Sequence, residues 1–268
     1  RLDMLEKENR ENEMSWKTAT VEKQGPVALV RFDRGGNLNA FNDQAISDLT
    51  DIARQFQDDL ETQAVVLTGT DKAFSAGIDL KERQQRFTGT QSDLELRRTY
   101  YAGVRLCQAW EDMPQITIAA IERMAVGAGV ALPISLDWRV MGRDAFLYVP
   151  EVKIGINLQW GALPRLITLV GPARAKRICI LCERMSAEHA IDWGLIEEIA
   201  DDGKVVEAAL ELARAAAAMP APAVRMVKEA VNATANALHR AVSYADADQS
   251  QLSSNFQTAQ AASKDFNS

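Results

Sequence analysis

The chain of 268 residues predicts an α/β fold, in which strands alternate with helices and a helical C-terminal region follows. Three observations lead there. Short apolar runs rich in β-branched residues (Val27–Phe32, Ala64–Thr68, Ile116–Ile121) have the length and bounding turns of buried strands. Between them, apolar residues step by three and four, the spacing of one helix face. From Lys204 onward the sequence is Ala-rich and helical almost to its end, broken once at Pro220-Ala221-Pro222.

Composition narrows the possible functions. With 47% apolar and 25% charged residues, the chain is an ordinary globular protein. A net charge of −7 argues against nucleic acid as a partner, because phosphate binding needs a basic face. No apolar run reaches the roughly 20 residues of a membrane span. Residues 1–14, RLDMLEKENRENEM, lack an apolar signal core and read as a disordered or non-native extension, with Met14 as a natural start. The three cysteines suit a reducing, cytoplasmic setting. Cys179 and Cys182 have Cys-x-x-Cys spacing, but they lie in an apolar helical stretch with no second pair, so packing is their expected role.

In chain order, Thr18–Glu22 and Val27–Phe32 form a hairpin across Gln24-Gly25-Pro26. The glycine loop DRGGNLNAF follows. Asp43 is then expected to cap a helix whose inner face carries Ile46, Leu49, Ala53, Phe56 and Leu60. Strand Ala64–Thr68 completes the first crossover unit. FSAGIDLKE, residues 74–82, leaves backbone amides free around Gly77, and Asp79 stands where a helix could start. Lys81–Gln91 reads as a mobile loop. Asp93–Trp110 returns to helical spacing through Leu94, Tyr101 and Val104. Past Gly155, helices are expected over Leu163–Leu169, Pro172–Cys182 and Ala187–Trp193, the last opened by Ser186 as a cap.

The chemistry concentrates in residues 114–155. Strand Ile116–Ile121 leads into Val126-Gly127-Ala128-Gly129, then a buried helix over Val130–Leu136 and a strand at Trp138–Met141. Small residues let another group approach the turn, and a helix starting there points unpaired N–H groups at it. Glu151 follows in a mostly apolar segment. An apolar setting disfavours a charged carboxylate and moves its pKa toward working pH, which suits proton transfer. The alternative is a surface glutamate paired with Lys153.

NLNAF, FSAGIDLKE, AVGAG and PEVKIGI, in that order, resemble the enoyl-CoA hydratase/isomerase family, the crotonases, from about Thr18 to about Val231. The resemblance implies a crotonase-like spiral of ββα units over residues 15–202. It also implies a helical oligomerisation region over 203–268, and a homotrimer or a hexamer built as a pair of trimers. It implies an acyl-CoA thioester substrate whose carbonyl lies between the backbone N–H groups of Ile78 and Ala128. Ala40, Ala76, Asp79 and Leu80 would hold the CoA portion, and Glu151 would be catalytic. Coenzyme A enters as part of the substrate, with no permanently bound cofactor and no metal.

The chain departs from the family's hydratases at three positions. Ala131 stands where they carry a second glutamate, and a methyl group cannot move a proton. In the loop after PEVKIGI, Gln159 and Trp160 replace small residues; Gln159 keeps its N–H, and Trp160 narrows the acyl pocket. The implied reaction is double-bond isomerisation with Glu151 as the single acid/base. One alternative is a hydratase using Glu151 alone on a bulky or aromatic acyl group. Another is a non-catalytic acyl-CoA binding subunit. The two histidines, His189 and His239, follow the site motifs, so a Ser-His-Asp hydrolase lacks its base; His189 reads as a solvated helix residue.

Overall fold

A computed structural model describes residues 16–82 and 91–257. The 1–14 extension, most of the Lys81–Gln91 loop and the segment 258–266 lie outside the described residues. The elements, in order, are β1 (Ala19–Gln24), β2 (Val27–Phe32), α1 (Asp43–Gln57), β3 (Ala64–Thr68), α2 (Asp93–Tyr100) and α3 (Ala102–Glu111). Next come β4 (Ile116–Ile121), β5 (Met124–Val126), α4 (Ala128–Ala131), β6 (Trp138–Gly142), β7 (Phe146–Tyr148) and α5 (Ala162–Leu181). The chain continues through β8 (Met185–Ser186), α6 (Ala187–Asp192), β9 (Glu198–Ala200), α7 (Val205–Ala217), α8 (Ala221–Ala235), α9 (His239–Ser243) and α10 (Asp246–Ser254).

The larger sheet has the strand order β1-β2-β3-β4-β6-β9, antiparallel at β1–β2 and parallel thereafter. Its inner strands β2, β3 and β4 are apolar at nearly every position because both faces are covered, whereas the edge strand β1 is polar and exposed along most of its length. Alternate residues point to opposite faces. Val30, Phe32, Val65, Leu67, Ala119 and Ile121 enter one core with Leu49, Ile52 and Phe56 of α1 and Leu106 and Trp110 of α3. Val27, Leu29, Val66, Ile118 and Val140 enter another with Val205, Ala209, Leu210 and Ala213 of α7. The composition shift near residue 203 assigns α7 to the C-terminal region, yet its packing makes it the cover of the sheet. A smaller sheet, β5-β7-β8, lies beside the glycine turn, with β5 parallel to β7.

Four local readings are corrected. Asn42, not Asp43, caps α1: its side chain accepts from the Ala45 N–H at 2.9 Å, and Asp43 is the first helical residue. Leu60 lies beyond the end of α1 and is 76% exposed. Asp93–Trp110 divides at Tyr101 into α2 and α3, so Leu94 sits on an outer turn, also exposed. His189 is half-buried, its ring 4.3 Å from that of Trp193. Ser186 caps α6 as expected, and all three cysteines are buried and unbridged.

Candidate active site

Two loops meet at the C-terminal ends of the parallel strands. The first, Asn37–Asn39, is a turn of three consecutive left-handed residues with φ of 51°, 47° and 58°. Asn39 sustains it: its buried side-chain amide donates to the carbonyls of Phe32 and Phe74, both at 2.9 Å, and its oxygen accepts from the Arg34 N–H. The second loop, Phe74–Leu80, is tied to the first by main-chain bonds from Phe41 to Gly77 and from Asp79 to Phe41. Arg34 Nη1 donates to Asp79 Oδ2 at 2.5 Å and to the Ala40 carbonyl at 3.3 Å. Burial alone would raise the Asp79 pKa. The Glu82 amide, Arg34 and the Asn37 amide outweigh it and hold the carboxyl down at about 2. Asp79 also accepts from the Lys81 and Glu82 amides, so it does open a helical turn, at Leu80.

The glycine turn sits against this loop. Gly77 has φ 92°, and a Cβ there would come 2.7 Å from the Val126 carbonyl and 3.7 Å from the Ala128 nitrogen. Gly127 has φ 53°, and a Cβ there would come 2.5 Å from Glu151 Oε1. Both positions therefore need glycine for conformation and for room. The turn brings the Ile78 and Ala128 amides to one cleft, and neither N–H has an acceptor among the described residues. Ala128 opens the short helix α4 without a positive φ, so its methyl group in place of glycine costs no strain.

The cleft has a volume of about 150 Å³ and is lined by Ala76, Ile78, Asp79, Leu80, Ala128, Ala131, Glu151, Gln159 and Trp160, among others. Nine of the ten residues singled out from the sequence thus converge. Ala40 is not part of the lining.

Glu151 starts a helical turn after Pro150, and its Oε2 is sealed from solvent with no hydrogen-bond partner among the described residues. Burial raises its pKa to about 7 against a smaller opposing effect of its own backbone amide. The pairing with Lys153 does not form: Lys153 Nζ donates to the Tyr148 hydroxyl at 3.2 Å. Ala131 presents a buried methyl group to the cleft. Two amides without acceptors and one buried, unpaired acid thus share the cleft, whose neighbouring carboxylate Asp79 is held by Arg34, a set of groups able to move a proton beside a carbonyl.

A family model described as enoyl-CoA hydratase/isomerase matches residues 22–266. The chain belongs to the enoyl-CoA hydratase/isomerase family. It is similar to a short-chain-enoyl-CoA hydratase of Clostridium acetobutylicum, at 30% identity over 220 residues, 82% of each chain. It is also similar to the 1,2-epoxyphenylacetyl-CoA isomerase of Escherichia coli, at 31% identity over 77% of this chain and 78% of that one. Among solved structures, an enoyl-CoA hydratase from Bacillus anthracis superposes with a TM-score of 0.74 at 30% identity, covering 80% of this chain and 82% of that one. The fold is therefore the crotonase fold. Among the described residues, no helix is long and apolar enough to cross a membrane, and no cluster could hold a metal ion.

Sequence reasoning missed several residues of this crotonase site. Phe41, Gly103 and Asn157 also line the cleft. Phe41 sits inside the quoted NLNAF motif and could have been singled out there. Gly103 carries no local signal, because its importance lies in what packs on it.

Proposed function

We propose that this protein is an enzyme acting on enoyl-CoA thioesters, with Ile78 and Ala128 N–H groups as the oxyanion site and Glu151 as the only acid/base. Double-bond isomerisation is the favoured reaction. Glu151 takes a proton from the carbon between the thioester carbonyl and a 3,4 double bond. The electron pair moves onto the thioester oxygen, where each preorganised donor is worth about 3–4 kcal/mol. The same carboxyl returns the proton at C4, leaving a conjugated 2-enoyl thioester. One base suffices because the proton leaves and returns on one face.

The observation that carries this reading is the buried Glu151 carboxyl with its unpartnered Oε2, in a cleft where Asp79 is tied to Arg34 and Ala131 supplies only a methyl group. Its pKa of about 7 lets it both accept and release a proton near neutrality. Ala40, Ala76, Asp79 and Leu80 are read as the CoA-side segment. The thioester arrives as substrate, and no bound cofactor is invoked.

Hydration by Glu151 alone is the second reading. The Gln159 N–H, in the cleft lining, has no acceptor among the described residues and could hold a water. A relative in Clostridium acetobutylicum, named as a short-chain-enoyl-CoA hydratase, supports the same reading. Spectroscopy separates the two. Given 3-enoyl-CoA, an isomerase raises the conjugated-thioester absorbance; given 2-enoyl-CoA, a hydratase lowers it. A protein that binds both and changes neither is a non-catalytic binder, and the proposal then fails.

Oligomerisation belongs to the same reading. Met226, Val227, Val231, Leu238 and Val242 on and around α8 and α9 are all more than half exposed, an apolar face suited to a trimer contact. A monomer in analytical ultracentrifugation would remove that part.

A further inference from the structure

The loop that brings Trp160 into the cleft holds a backbone conformation that tryptophan rarely adopts. Trp160 has φ 64° and Gly161 has φ 67°, two left-handed residues in succession. For a bulky residue this conformation is strained and persists only where its surroundings enforce it. The indole lies on the bare Cα of Gly103, where any Cβ would overlap it, and its ring centroid is 5.4 Å from that of Phe41, tilted by 59°. Trp160 thus forms a wall of the cleft together with Phe41 and Gly103.

Three side chains hold the loop from outside. Asp246, at the first turn of α10, accepts the Gly161 N–H on Oδ2 at 2.7 Å across 85 residues of sequence. Arg165 Nη1 donates to the carbonyls of Gly161 at 2.9 Å and Trp160 at 3.3 Å. Arg165 is itself held by Glu111 through two bonds, Nε to Oε1 at 2.7 Å and Nη2 to Oε2 at 2.8 Å. A Cβ at Gly161 would come 2.6 Å from Arg165 Nη1, so glycine there leaves room for the guanidinium. Asp246 is buried; burial raises its pKa, with the Gly161 amide and Arg165 opposing. The same helix also reaches Asn157 in the cleft lining, through Gln249 at 3.2 Å, and Arg97 of α2, through Asp248 at 3.3 Å.

From this geometry we infer that Asp246 is a positioning residue for acyl selectivity: by holding the Gly161 N–H it fixes Trp160 as the wall that limits the acyl group. The inference rests on the acyl-CoA reading of the cleft. Asp246 touches neither the thioester end nor Glu151, so its loss changes which acyl group fits and spares the acid/base group. Shortening or removing the wall admits longer chains.

The test uses the full chain with CoA, butyryl-CoA and decanoyl-CoA as probes in calorimetry. Trp160→Ala improves decanoyl-CoA binding relative to butyryl-CoA by roughly fivefold, about 1 kcal/mol. Asp246→Ala moves the ratio in the same direction. Asp246→Asn, which keeps an acceptor oxygen, falls between it and the parent. The double variant Asp246→Ala/Trp160→Ala adds nothing beyond Trp160→Ala, the mark of one shared effect. Fluorine NMR of 5-fluorotryptophan-labelled protein reads the positioning without ligand: Asp246→Ala shifts the Trp160 resonance, assigned with Trp160→Phe, and leaves the others in place. An unmoved Trp160 resonance, or an equal loss of affinity for all three probes, overturns the inference. Failure of the parent protein to bind any probe sinks the acyl-CoA reading instead, and the fluorine spectrum still decides the role of Asp246.

Discussion

The two ends of the cleft are built differently. On the proposed reading, the thioester end consists of backbone amides and one carboxyl, set by the loops that follow β3, β5 and β7. At the acyl end, a tryptophan is held by side chains that come from α3, α5 and α10. On that reading, the chemistry would follow from local geometry, and selectivity from contacts between distant parts of the chain.

The largest expected effect tests the thioester end. Glu151→Gln should reduce turnover by roughly 10²–10⁴-fold while acyl-CoA still binds, because a positioned acid/base contributes about that much. Parallel turnover and calorimetry measure it, and full activity in this variant would remove Glu151 from the reaction.

Next is the acyl end. Arg165→Met leaves the buried Glu111 carboxylate without its main partner, and unfolding in urea should show a loss of about 3–5 kcal/mol. Burial alone would raise the Glu111 pKa, but His239 and Arg165 hold it down at about 2, so the group is charged at all working pH. Arg165→Met with Glu111→Leu should recover much of that stability yet still misplace Trp160. If the double variant kept the acyl preference of the parent, the side-chain account of this end would be wrong.

A third test compares the ends by pH. Glu151 is raised from 4.5 to about 7 in the folded chain. Below pH 4.5 it is protonated both folded and unfolded and has no linkage effect. Between 4.5 and 7 the unfolded chain ionises first, so this group makes stability fall as pH rises, and the cost is complete above 7. Glu151→Gln should therefore be more stable than the parent at pH 8, on the order of 3 kcal/mol, and equal to it at pH 4. The same group predicts that kcat/KM for a reaction begun by its base form rises through about pH 7. The smallest effect involves the helix α1, which contributes Asp43 and Ile46 to the cleft lining: Asn42→Ala should cost about 1 kcal/mol by thermal unfolding, and Asp43→Ala less.

This contrast also explains what was legible in the sequence. Strands β2, β3 and β4 were readable because burial on two faces writes continuous apolar runs, whereas the three-residue edge strand β9 was not singled out. Ile78, Ala128 and Glu151 were readable because glycine spacing and an acid in an apolar segment are local signals, and the family resemblance gave them roles. The break at Tyr101 was not readable, since apolar spacing continues across it. Asn42 was passed over for its neighbour Asp43, although both residue types cap helices, because the choice depends on which residue turns helical first. Asp246 and Gly103 were invisible because their partners lie far away: 85 residues separate Asp246 from Gly161.

That separation has a consequence for the order in which the molecule acquires its parts. The sheet pairings that position the glycine turn join segments close in sequence or one crossover apart. The brace from α10 must close a much longer loop, which costs more entropy and comes later. We expect pulse-labelled hydrogen exchange during refolding to protect the amides of β3 and β4 before the amide of Gly161. A refolding chain would then pass through a state able to polarise a thioester before it can choose among acyl groups.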